Sequence, residues 1–427
     1  MKKLLTPLRI NLAVILLPIA ALFIWGNSNV SKDLMRLERI LDVLESSPDF
    51  MWRQRPNLNT DFEGADVFTD SDGFRLNNKQ STDLPSARAG EKTFTIVTLG
   101  ASPTFGYGVK AEEAYPAVVE KTLRREMPEV RVINAGQIGF SSWQGIRLFA
   151  EFADKWKPDL ITVSYVVNDI DRLRFFYSNG KSDCETELPS ATVSAISNFV
   201  AQTWPLSFLS KQQRRVLTKL VSGLSQRKSY ELTHVRSTPI EYEKNLRELA
   251  RMAGDRKIPL IFIKMPFRLP EEIPPANAGL EPELDRISEL INAEKNAEAE
   301  RMADKLYHNE KYASRLYYLQ GRIAENAGND DKAGEKYRQA MRHVIYDCAR
   351  DARYYNSIME KTARDLNLPL VDPAKRLGGV SADMEYFVPG DYIHPNATGH
   401  QIIANCVSPA IYRMLNGDSG FFIQECK

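Results

Sequence analysis

Five short runs rich in β-branched residues punctuate the chain: Thr93 to Leu99 (TFTIVTL), Val130 to Asn134, Leu160 to Tyr165 (LITVSY), Pro259 to Lys264 (PLIFIK) and Leu368 to Val371. Residues at helical spacing fill Ala111 to Met127, Ser142 to Lys155, Ile240 to Asp255, Ala349 to Leu366 and Ala397 to Leu415. Strands of four to seven residues alternating with longer helices indicate a parallel sheet covered on both faces. The expected fold is α/β: a three-layer α/β/α sandwich around a five-stranded parallel sheet. Two segments interrupt it, at 173–238 and 267–345. The chain has 427 residues, 43% hydrophobic and 26% charged, enough for a sizeable core and unlike a disordered chain, a collagen-like fibre or a small disulfide scaffold. Lys+Arg total 56 against 55 Asp+Glu, so the chain lacks the basic excess that backbone binding to nucleic acid needs.

The N-terminus differs from the rest. Lys2, Lys3 and Arg9 precede an apolar run from Ile10 to Trp25, and no charge occurs from Ile10 to Ser31. A helix of about 20 residues crosses a hydrocarbon core of about 30 Å. Basic residues before the run orient its start toward the cytoplasm. A cleaved signal peptide is the competing reading, but Phe23-Ile24-Trp25-Gly26 offers no small-x-small cleavage site. Residues 1–31 are therefore expected to be a cytoplasmic tail and transmembrane anchor, single-pass in a bacterial inner membrane. The remainder would lie in the periplasm or otherwise outside the cytoplasm. Residues 32–90 are expected to hold a helix over Val30 to Leu44 and then short strands and turns. Cys184, Cys348, Cys406 and Cys426 could form up to two disulfides there, with three possible full pairings, and their spacing excludes a CxxC motif.

The second interruption contains Leu316 to Val344, whose spacing of Leu319, Gly321, Ala324, Gly328, Ala333, Tyr337 and Ala340 resembles a tetratricopeptide helical hairpin. Only about one repeat is visible. It reads either as an ordinary hairpin capping the sheet or as a lid facing a partner or glycan.

Four pieces fall just past the expected strands or before the last helix, where an open α/β sheet places its ligands. They are Leu99-Gly100-Ala101-Ser102 with the following Gly106 and Gly108, Asn134-Ala135-Gly136 with Gly139, Val166-Val167-Asn168-Asp169, and Asp391-Tyr392-Ile393-His394. In order and strand context they resemble the SGNH subgroup of the GDSL hydrolase superfamily. The resemblance covers roughly 90–175, 240–265 and 349–415. The segment from Pro56 to Arg75 looks like the N-terminal part of membrane-anchored members. This sequence departs from the pattern at Ala101, in place of the aspartate of Gly-Asp-Ser, and at Val166, in place of the glycine of Gly-x-Asn-Asp.

A serine hydroxyl needs an adjacent base to be a nucleophile at neutral pH, and histidine has the suitable range. Ser102 is thus the expected nucleophile and His394 its base. Asp391, three residues earlier, would fix the imidazole tautomer. Ser102 N–H, Gly139 N–H and the Asn168 amide are the expected oxyanion donors. Asp169 reads as a loop-holding residue and His400 as a surface or packing residue. His234, His308 and His343 lie in or beside the interruptions without an Asp-x-x-His arrangement. No metal ligand cluster and no cofactor are expected. The expected function is a serine esterase or O-acyltransferase acting on an acyl, especially acetyl, ester of an envelope polysaccharide. A lipid ester is the rival substrate. The rival class is a non-catalytic glycan- or partner-binding assembly protein, motivated by Ala101 and Val166. Expected partners are the ester substrate, the membrane through the N-terminal helix, and an envelope-assembly protein at the helical interruption, with no nucleic acid.

Overall fold

A computed structural model describes residues 42–79, 93–171, 182–195, 198, 235–268, 280–308, 314–378, 386–389 and 391–426. Contacts divide the chain into two units, Met1–Asp42 with Ala195–Tyr230, and Val43–Ser194 with Glu231–Lys427. Nearly all of the first unit lies outside the described residues, including the apolar run at Ile10 to Trp25. Among the described residues no helix is long and apolar enough to cross a membrane.

The second unit opens with two antiparallel hairpins, β1 (Leu44–Ser47) with β2 (Met51–Gln54) and β3 (Asn59–Phe62) with β4 (Ala65–Phe68). Leu44, expected to end a helix, instead opens β1. The core strands are β5 (Phe94–Gly100), β6 (Val130–Gly136), β7 (Leu160–Ser164), β8 (Leu260–Ile263), β9 (Leu370–Asp372) and β10 (Ile423–Glu425). All pair parallel, in the order β10-β9-β8-β7-β5-β6. The order reverses at β5, so the crevice between the loops after β5 and β7 is the topological switch point, where such sheets bind ligands.

The sheet has six strands rather than the expected five. The extra one, β10, reads Ile-Gln-Glu and has no β-branched run to announce it. It exists because the edge of β9 is open and because Cys426, the next residue, is disulfide-bonded to Cys406 with Cα atoms 5.0 Å apart. Cys184 is free, so that bond is not accompanied by a second one through it. Closing a 20-residue loop restricts the unfolded chain by about 3 kcal/mol. Replacing both cysteines by alanine is expected to lower the urea-unfolding free energy by about that much. An unchanged midpoint would show that the bond does not form in solution.

Helices flank the sheet. In chain order they are α1 (Ser102–Phe105), α2 (Tyr115–Leu123), α3 (Ser142–Trp156), α4 (Pro239–Asp255), α5 (Leu280–Asn292), α6 (Asn296–Tyr307), α7 (Ser314–Asn326), α8 (Asp330–Asp365), α9 (Ala374–Leu377) and α10 (Ala397–Leu415). Helices α2 and α10 bury Val119, Leu123, Ile403 and Val407 against Ile96 and Ile261 of the sheet. Burying one such side chain contributes about 1.5–3 kcal/mol, so this layer fixes the sheet that carries the site.

The interruption holds two hairpins, not one. The turn bonds Ala293 N to Glu289 O, Glu294 N to Ile291 O and Lys295 N to Leu290 O recur 34 residues on, at Ala327, Gly328 and Asn329. Glu294 and Gly328 share a positive φ, 60° and 73°. The first repeat escaped the sequence reading because it carries Glu294 where the second has glycine and Ile287 where the second has Gly321. Helix α8 then runs unbroken from the hairpin to the residue before β9's loop. The expected boundary between 345 and 349 is absent, since Ile345-Tyr346-Asp347-Cys348-Ala349 contains no proline or glycine to stop a helix.

Candidate active site

Strand β5 ends at Gly100, and the chain enters the helical turn α1 with Ser102 at its first position. The first N–H groups of such a turn have no acceptor within it. The turn presses on the end of β6: a Cβ on Gly136 would lie 2.2 Å from Phe105 N, so only glycine permits the approach. Beneath it, Thr104 Oγ1 and Ser164 Oγ share a hydrogen bond of 2.7 Å, and Tyr115 OH donates to Thr104 Oγ1 at 3.2 Å. Arg75, buried, donates to the carbonyls of Phe105 (2.8 Å), Gly106 and Val109 (2.7 Å). Burial pushes its guanidinium down to about 10, against the pull of Glu112 and Glu113.

The loop before α10 carries Asp391 and His394. Asp391 Oδ1 accepts from the N–H groups of Ile393 (2.7 Å) and His394 (3.0 Å), a local carboxylate turn that sets the three-residue spacing. Asp391 Oδ2 lies 2.6 Å from His394 Nδ1, and His394 Nε2 lies 2.8 Å from Ser102 Oγ. Burial alone would raise the Asp391 carboxyl. The hydrogen bond and charge of His394 and the two backbone N–H groups outweigh it and hold the carboxyl below its ordinary value. Tyr107 stacks on the imidazole, with ring centroids 4.1 Å apart. Asn396 caps α10 by accepting from Gly399 N at 3.1 Å, which anchors the loop's far end.

Gly139 lies in the loop after β6 with φ of 79°, and Asn168 in the loop after β7. Asn168 Nδ2 donates to Phe140 O at 2.9 Å, which ties these two loops together and leaves the amide's second hydrogen for another acceptor. Asp169 points the other way. It is fully buried and accepts from Ser142 N (3.0 Å), Ser142 Oγ (2.5 Å) and Ser237 Oγ (2.8 Å). Burial pushes its carboxyl up to about 6, opposed by those donors and by Arg236. Such a group is protonated in the fold at a pH where the unfolded chain has already lost the proton. It therefore adds stability as pH falls from about 6 toward 4. Asp169→Asn is expected to cost about 2–4 kcal/mol by turning an amide donor toward donors. The deficit should widen between pH 6 and pH 4 in urea titrations. A pH-independent deficit would mean that Asp169 does not titrate there.

Among the described residues, His394 is the histidine that hydrogen-bonds Ser102. His400 is buried rather than at the surface, accepts from Tyr115 N at 3.2 Å, and is pushed down to about 3 by burial, so it packs as neutral imidazole. His343 stacks on Tyr317 in the second hairpin. His308 follows α6, and His234 lies outside the described residues. Among the described residues no three His, Cys, Asp or Glu side chains form a metal-holding group. Sequence reading missed Tyr107, which lies between Gly106 and Gly108, and Arg75, which ends the Pro56 segment; neither carries a motif of its own. It also missed Arg236, which sits at the end of an interruption with no period. A continuous hydrogen-bonded chain runs from Asp391 through His394 to the Ser102 hydroxyl.

The family model for GDSL-like lipases and acylhydrolases matches residues 96–407. No curated protein matches the chain. Among solved structures, the SGNH-hydrolase family esterase AlinE4 is 20% identical, with 41% of this chain and 61% of that chain covered and a TM-score of 0.25. A GDSL-like lipase from Bacteroides thetaiotaomicron is 12% identical over 75% of this chain and 88% of its own, TM-score 0.35. The acetyl xylan esterase AlAXEase is 12% identical over 74% and 100%, TM-score 0.35. The chain thus spans about three fifths of the AlinE4 chain it matches. The match over 96–407 takes in both the serine turn and the histidine loop, and the chain belongs to the GDSL-like lipase/acylhydrolase family.

Proposed function

We propose that the protein is a serine esterase or O-acyltransferase of SGNH type. The observation that carries this reading is the double hydrogen bond of His394, 2.8 Å to Ser102 Oγ and 2.6 Å to Asp391. Ser102 Oγ attacks the ester carbonyl while His394 Nε2 takes its proton, and the imidazolium is stabilised by Asp391. Ser102 N–H, Gly139 N–H and the Asn168 amide receive the negative oxygen. His394 then returns the proton to the departing alcohol, leaving an acyl-serine. Water completes hydrolysis, and a sugar hydroxyl completes transfer.

The substrate we propose is an acyl, especially acetyl, ester of an envelope polysaccharide. The support is topological: a charge-free run from Ile10 to Ser31 behind basic residues, and a disulfide at Cys406–Cys426 of the kind that persists in oxidising compartments. The protein would be anchored in a bacterial inner membrane with this domain on the periplasmic side. The paired hairpins α5–α8 would meet the glycan or an assembly partner. Acetate release from acetylated envelope polymers, read beside hydrolysis of p-nitrophenyl acetate, tests the reading. Turnover of the small ester without release from any polymer would remove the polysaccharide, and absence of both would remove the enzyme.

A further inference from the structure

The loop that carries Gly139 is a tight turn. Phe140 N donates to Gln137 O at 3.2 Å, and Gly139, third in the turn, has φ of 79°. A positive φ at that position marks a type II turn. Types I and II differ by a flip of the central peptide, here the one joining Ile138 and Gly139. Its two polar ends point in opposite directions. One orientation presents the Gly139 N–H to one side of the turn, and the other presents the Ile138 carbonyl to that side. The oxyanion role therefore depends on which form the turn holds.

The Ile138 carbonyl is held by Trp52. The buried indole of β2 donates from Nε1 to Ile138 O at 3.0 Å. Its neighbour Gln54 grips the same loop, with Nε2 donating to Gly136 O at 3.1 Å and its own N–H donating to Gln137 Oε1 at 3.1 Å. From the other side Arg236, itself buried and paired with Asp183 at 2.7 Å, donates to Gly139 O and lies 5.0 Å over the Trp52 ring. A flipped peptide would turn its N–H onto the indole N–H, and the bond from Trp52 Nε1 to Ile138 O would be lost.

We propose that Trp52 is a positioning residue of the oxyanion hole: its indole N–H holds the Ile138–Gly139 peptide in the orientation that aims the Gly139 N–H at the reacting carbonyl. This rests on the hydrolytic reading above, and it makes the N-terminal hairpin part of the catalytic apparatus rather than a spacer.

Trp52→Phe keeps an aromatic ring and removes the donor. Losing an oxyanion donor outright costs about 10²–10³-fold in kcat, so partial flipping should lower kcat on p-nitrophenyl acetate about 10–100-fold, with KM within about threefold. A lesion of packing alone would act through the folded fraction, which the thermal midpoint reports. Gly139→Ala disfavours the same turn, so the double variant should be far less impaired than the product of the two singles. Should Trp52→Phe not fold, benzothienylalanine placed at position 52 keeps the bicyclic shape without the N–H and should give the same kcat loss. A parent enzyme that turns over with Trp52→Phe at full kcat overturns the assignment and leaves the hydrolytic reading standing. Independent, multiplicative losses at Trp52 and Gly139 overturn it too. A parent protein that neither turns over the ester nor is labelled at Ser102 by a fluorophosphonate overturns the hydrolytic reading and this assignment with it.

Discussion

Ser102→Ala is expected to lower ester turnover by about 10⁴–10⁶-fold and to abolish labelling by a fluorophosphonate probe. The reason is geometric. Ser102 Oγ lies 2.8 Å from the imidazole that Asp391 hydrogen-bonds, and among the described residues it is the hydroxyl bonded to that imidazole. Thr104 and Ser164, two and sixty-two residues further on, are bonded to each other, Ser164 also to Leu99 O and Thr104 to Tyr115 OH. The substitution removes an oxygen from a turn whose backbone bonds, Phe105 N to Ala101 O and Gly106 N to Ser102 O, do not use it. Stability should therefore change little. His394→Ala should cost about as much, and the double variant little more than either single one, because the two groups act as a unit. Persistent labelling in Ser102→Ala would move the nucleophile elsewhere. Multiplicative losses would break the relay.

The parts of this site legible in the sequence are those set by local rules. Ser102 is one residue beyond a seven-residue strand whose β-branched content marks it, and Asp391 reaches His394 through a turn that closes within four residues. The last helix was placed at its actual bounds, Ala397–Leu415, because Asn396 caps it. What was not legible is what depends on distant segments meeting. Trp52 and Ile138 are 86 residues apart, and Arg236 is 97 from Gly139. No spacing rule links such pairs. β10 is a strand only because a neighbour's open edge and a disulfide hold it there. The first helical hairpin lacks the small residues by which the second was seen, yet its turn closes with the same three bonds. The departures at Ala101 and Val166 also read differently in three dimensions. Both are buried, and neither removes an atom of the Asp391–His394–Ser102 chain.

Asp391→Asn is expected to lower kcat by about 10³–10⁴-fold while leaving the fold intact. The carboxylate does two separable jobs. Oδ1 accepts the N–H groups of Ile393 and His394 and so shapes the loop, a task an amide oxygen performs equally well. Oδ2 accepts from His394 Nδ1, a task that an amide in the same pose reverses, since its NH₂ would face the ring nitrogen and donate to it. The imidazole would then carry its proton on Nε2, the atom that must be empty to take the proton of Ser102. The variant loses the base without losing the histidine. It also loses the negative charge that stabilises the imidazolium in the transition state, so the defect belongs in kcat more than in KM. Because the Asp391 carboxyl lies below its ordinary value, it stays ionised throughout the neutral range, and its contribution to stability is present above the unfolded carboxylate's range and disappears as pH falls through its folded value. The comparison is therefore best made at neutral pH, with the thermal midpoint and kcat measured on the same preparations. A variant within tenfold of the parent in kcat would show that tautomer control lies elsewhere, and a collapse of the midpoint would show that the loop needs the charge and not merely an acceptor.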